Sequence, residues 1–128
     1  HKGCMGTGHA NTPEDAIVRI EALAQGGDAK SSEKALRSQV ISAVELIVQV
    51  SRFSDGSRRV SAISEVLGFN TDGSYDVAPI FQMSRVLRKA SGSMEGKLEP
   101  TGKVPSFVQE ITDNNLPFPL SKFNKPAA

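Results

Sequence analysis

Two Asp-Gly-Ser turns constrain this chain more than any other feature. Ser54-Asp55-Gly56-Ser57 is one, and Asn70 to Ser74, with Asp72-Gly73 inside it, is the other. Glycine at such a place supplies the positive φ that tight hairpin turns require. The segments around the turns are β-rich. Leu46 to Val50 reads as a compact buried strand, and Arg59 to Leu67 as the strand that returns. A third strand follows, with Tyr75, Val77, Phe81 and Met83 on one face. Pro79 shares that face and lacks an amide donor, which places it on an edge or at a bulge. Residues 45–84 are therefore expected to form an antiparallel three-stranded meander.

Ahead of the meander the periodicity is helical. Thr12 is an N-cap, Pro13 suits the first helical position, and Asp15 complements the helix dipole. Ala16, Ile17, Ile20, Leu23 and Ala24 recur at helical spacing, and Gly26-Gly27 ends the run. A polar loop, Gly27 to Ser32, leads to a second helix from about Glu33, with Leu36, Val40, Ala43 and Val44 as its apolar positions. Before the first helix, Cys4 to Gly8 reads as a short strand. It delivers His9-Ala10-Asn11 to the strand–helix junction, where α/β sheets place their ligands.

After Ala90 the texture loosens. Ser91 to Gly102 is rich in Gly, Ser and Lys and reads as a linker or exposed loop. Ser106 and Gln109 have capping-box spacing, so a short helix is expected to bury Phe107, Val108 and Ile111. Asn114 to Ala128 holds three prolines and is expected on the surface. The expected division is a folded α/β part over 1–89, then a linker and tail with a short helix over 90–128.

Composition narrows the function classes. Fifteen basic residues against fourteen acidic ones give a net charge of +1, so no global field steers the chain to nucleic acid or an anionic membrane. With 5% aromatic residues and no Trp, the core must be aliphatic. The single cysteine, Cys4, permits no internal disulfide and fits a reducing compartment. His1, Cys4 and His9 fall short of the four protein ligands a structural zinc needs, and no metal site is expected. No Gly-x-x-x-x-Gly-Lys-Ser/Thr loop is present, so nothing in the chain can hold the β- and γ-phosphates of ATP. His9 has two readings: a polar cap on the junction, or an imidazole that stabilises phosphate charge.

Three blocks carry a resemblance. The first runs from His1 through Gly3, Thr7, His9-Ala10-Asn11 and Asp15-Ala16 to Arg19-Ile20-Glu21. It resembles the His box of secretion and pilus-assembly ATPases. The second, residues 35–69, is similar to the segment after the His box in the CpaF-type branch, the ATPases of Tad (Flp) pilus systems. The tail, PTGKVPSF to LPFPLSKF, resembles that branch's C-terminus. Gly8 and Cys4 depart from the family pattern, which usually has a branched apolar and a small hydroxyl residue there.

The resemblance implies a partial RecA-like P-loop NTPase domain, its C-terminal part only, with the meander and a short helical tail. It implies that His1 and His9 are the two His-box histidines, both nucleotide-facing, with His9 the catalytic candidate. Arg19 takes an interface or structural role, and Arg52, Arg58 and Arg59 flank the turn as further interface candidates. The implied parent is a homo-hexamer using ATP and Mg²⁺. It would work in the cytoplasm, held at the inner membrane through secretion or pilus platform proteins, with no nucleic acid partner. The phosphate loop and acidic boxes are expected upstream of His1, which leaves this chain inactive alone, with exposed apolar surface. The alternative is a non-catalytic assembly or interaction module derived from the same family.

Overall fold

The computed structural model describes residues 3–27 and 32–127. Two helices, α1 (Pro13–Gly27) and α2 (Glu33–Ala43), precede four strands: β1 (Leu46–Arg52), β2 (Arg58–Phe69), β3 (Tyr75–Arg88) and β4 (Met94–Pro100). A short helix, α3 (Val108–Asp113), and a 3₁₀ turn, Leu120–Phe123, close the chain. The strands form one antiparallel sheet in the order β1-β2-β3-β4.

Thr12 caps α1 as expected, and Ser32 caps α2. Thr12 Oγ1 accepts the Asp15 N–H at 3.1 Å, and Ser32 Oγ accepts the Ala35 N–H at 3.2 Å. α1 buries Pro13 and Ile17, but Ile20 and Leu23 from its expected apolar face are exposed. α2 buries Leu36 and Val40. Ile17 and Val40 meet Ile47, Val66 and Tyr75, so this helical layer covers one face of the sheet. Ile80, Val108 and Phe123 form a second cluster, where the C-terminal segment packs on the sheet.

Three hairpins share one turn design. Gly56, Gly73 and Gly92 have φ of 83°, 83° and 85°. Each turn is closed by a pair of backbone bonds, such as Phe53 N–H to Ser57 O at 2.8 Å and Gly56 N–H to Phe53 O at 2.9 Å. The third, at Ser91-Gly92-Ser93, lies where a linker was expected, and it adds β4 to the sheet. The meander thus has four strands, not three. Alternation of Met94, Gly96 and Leu98 with Glu95, Lys97 and Glu99 carries the strand. Gly96 lies under Met83, whose Sδ would be 2.7 Å from an added Cβ.

Other expectations are corrected by pairing. Cys4 to Gly8 is not a strand. No strand among the described residues pairs with it, and Met5 is 99% exposed. β1 is an edge strand with only Ile47 buried, not a strand covered on both faces. Pro79 sits on the inner strand β3, opposite Ser64, at a bulge where Ile80 is the extra residue. That bulge re-phases the strand. Tyr75 and Val77 face the helical layer, whereas Ile80 and Phe81 join the C-terminal cluster. Thr101 ties the bulge down, its hydroxyl donating to Pro79 O at 2.7 Å. Ser106 does not cap α3, which has Phe107 at its N-cap.

Candidate functional site

Gln49, on the helix-facing side of β1, reaches the strand–helix junction and donates from Nε2 to Ala10 O at 3.0 Å. That bond anchors the segment just ahead of α1 to the sheet. His9 precedes Ala10 and is exposed. His1 lies outside the described residues. Arg19 is exposed on α1. Among the described residues no group of three or more His, Cys, Asp or Glu side chains is arranged to hold a metal ion. Cys4 is exposed and free.

The arginines around the first turn divide by face. Arg59 points across the sheet and donates to Met94 O at 2.6 Å, with its guanidinium 5.9 Å from the Phe53 ring centroid. Asp55 accepts the Met94 N–H at 2.6 Å and the Ser57 hydroxyl at 2.6 Å. Asp55 of the β1–β2 turn and Arg59 of β2 together hold both backbone groups of the first residue of β4. These donors, the Ser57 hydroxyl first, pull the exposed Asp55 carboxyl from its ordinary 3.8 down to about 2. In the second turn the Ser74 hydroxyl lowers Asp72 in the same way. Arg52 and Arg58 are exposed and stand directly opposite each other on β1 and β2.

A second polar cluster joins both helices to the sheet, and sequence reasoning did not single it out. Arg37 of α2 lies 3.6 Å from Glu21 of α1 and donates to Gly73 O. Its guanidinium is 4.6 Å from the Phe69 ring centroid and 5.0 Å from that of Tyr75. The Tyr75 hydroxyl donates to Glu21 Oε2 at 2.8 Å, and burial, with that carboxylate, pushes the phenol above 10.0. The cluster borders an open depression of about 410 Å³. Arginine, carboxylate and phenol hold one another here, although the buried Arg37 Nε makes no hydrogen bond, and among the described residues of the cluster no nucleophile has an adjacent base. The cluster fastens the helical layer. Tyr75, the chain's single tyrosine, placed at the start of a strand, was the available signal.

Glu65 is a further buried polar group, 4% exposed within β2 beside the buried Ser64. It accepts the Ser106 N–H at 2.9 Å and the Ser106 hydroxyl. A lone carboxylate in the run Ile63-Ser64-Glu65-Val66-Leu67 marks the position in the sequence.

The chain is a mixed helix-and-sheet protein with a four-stranded antiparallel sheet. Over 65 residues it is 42% identical to "Putative conjugal transfer protein MT3759" of Mycobacterium tuberculosis (strain CDC 1551 / Oshkosh). It is equally identical to "Putative conjugal transfer protein Rv3659c" of strain ATCC 25618 / H37Rv. The match takes in 50% of this chain and 18% of each relative's length. No family model matches the chain. Among the described residues no helix is long and apolar enough to cross a membrane.

Proposed function

We propose that this chain is the His-box-containing C-terminal part of a hexameric ATPase that powers pilus assembly or type II/IV secretion. The observation that carries this reading is the 42% identity, over half the chain, to proteins named for conjugal transfer, a process related to type IV secretion. The His-box pattern of residues 1–21 and the block 35–69 refine it towards the Tad pilus branch. ATP and Mg²⁺ would be held mainly by a phosphate loop upstream, since this chain contains none. The nucleotide supplies the free energy of phosphoryl transfer. The chain's own share is His9, an exposed imidazole at the head of α1, with His1 as a second nucleotide-facing group. Arg19, Arg52, Arg58 and Arg59 are the candidate subunit contacts. The working machine would sit at the cytoplasmic face of the inner membrane, bound to platform proteins.

A second reading, a non-catalytic assembly or interaction module, is favoured by the uncovered apolar residues of β1. The two separate on catalysis. In the full-length hexamer, His9→Ala is expected to lower steady-state ATP turnover by about 10²–10³ while nucleotide affinity holds, because one preorganised donor acts mainly in the transition state. Unchanged turnover in an intact hexamer would make His9 a junction residue.

A further inference from the structure

The outer face of β1 carries an apolar row that the motor reading does not use. Leu46, Val48 and Val50 are 43, 57 and 51% exposed, on the side of the strand opposite Ile47. Arg52 continues that row, directly opposite Arg58. Like charges in register destabilise a ladder. Among the described residues the ion pairs are Arg37–Glu21 and Lys89–Glu95, and neither reaches these two arginines. The carboxylate in the adjoining turn, Asp55, is occupied by Ser57 and Met94. β1 is also an edge strand, and within the described residues its ladder bonds run only to β2. Three features therefore adjoin: an open ladder edge, an apolar row, and two cations without a counter-charge.

We propose that β1 receives an extended, acidic segment of a partner protein, added to the sheet as a further strand. Alternate apolar side chains of that segment would cover Leu46, Val48 and Val50, and a carboxylate at its end would sit between Arg52 and Arg58. A second copy of the chain fits less well. Antiparallel self-pairing about Gln49 sets Arg52 against Leu46 of the second copy. Glu45 then falls, by alternation, on the side of Ile47. A nucleic acid would answer the arginines but leave the apolar row in water. The inference stands independently of the proposed ATPase role.

The test uses the whole 128-residue chain and the fluorescein-labelled peptide Glu-Thr-Val-Thr-Val-Thr-Val-Thr-Glu, whose valines and terminal glutamates share one face and whose symmetry puts a glutamate beside the arginines in either strand direction. Its control carries lysine at both ends. Fluorescence anisotropy is expected to show saturable binding of the glutamate peptide, at least about tenfold tighter than the lysine peptide. The double variant Arg52→Glu/Arg58→Glu is expected to reverse that preference, a gain that an unfolded variant cannot show. Val48→Lys should abolish binding of the glutamate peptide with the circular dichroism spectrum unchanged. Equal binding of the two peptides, binding of neither, or a preference unmoved by the double variant would overturn the proposal. So would a dimer abolished by Val48→Lys, or oligothymidylate binding abolished by Arg52→Glu/Arg58→Glu without peptide binding.

Discussion

Glu65 buries a carboxylate in the sheet, and its donors come from Ser106, 41 residues along the chain. A buried acceptor is tolerated only while its donors hold. Ser106→Ala removes the hydroxyl and keeps the N–H. The expected loss is about 1–3 kcal/mol of stability, read as a lower urea midpoint at unchanged slope. An unmoved midpoint would mean that the hydroxyl does not support the carboxylate. Asp55 gives a residue-level test by pH. Its folded pKa, about 2, lies below the ordinary 3.8, so its contribution is present above about pH 4 and fades as pH falls towards 2. Carboxyl chemical shifts should show Asp55 titrating near 2 in the folded chain, and at higher pH in a Ser57→Ala variant, which loses the hydroxyl donor and keeps the Met94 and Ser57 N–H donors. A folded-state midpoint near 4 would contradict the turn-to-β4 grip.

Among the elements, those with local signals were legible before the structure. The cap Thr12, the helical spacing of Ile17, Leu36 and Val40, and both Asp-Gly turns translate directly into α1, α2 and two hairpins. What stayed hidden depends on pairing across the sheet. β4 is poor in β-branched residues and contains Gly96, so its composition resembled a loop while its alternation and partner β3 made it a strand. Cys4 to Gly8 had the reverse fate, an apolar-looking run with no partner among the described strands. The bulge at Ile80 could not be placed from Pro79 alone, because an edge served equally well. The candidate site was legible only as single residues: His9, Arg52, Arg58 and Arg59 are marked by motifs, while the Glu21–Arg37–Tyr75 cluster needs three elements brought together. The turns themselves are testable. Gly56 has φ of 83° and open space where a Cβ would go, so Gly56→Ala should cost about 1–2 kcal/mol from backbone conformation alone. Gly56→Asn should cost less, since Asn tolerates this region. Equal thermal midpoints for all three proteins would contradict the turn assignment.

At the scale of the whole molecule, α1 and α2 cover the part of one sheet face around Ile47, Val66 and Tyr75, and the C-terminal segment packs against Ile80. β1 and the α1 residues Val18, Ile20 and Leu23 keep apolar surface in water. In the proposed role as the C-terminal part of a secretion or pilus ATPase, this apolar surface would face the rest of the machine. The most direct measurement compares ATP hydrolysis by the 128-residue chain with that by the polypeptide extended through the reading frame upstream of His1. The account predicts no hydrolysis above background and no tight Mg-ATP binding for the chain alone, and turnover by the extended protein as a hexamer. An extended protein that assembles yet neither binds nor hydrolyses ATP would contradict it.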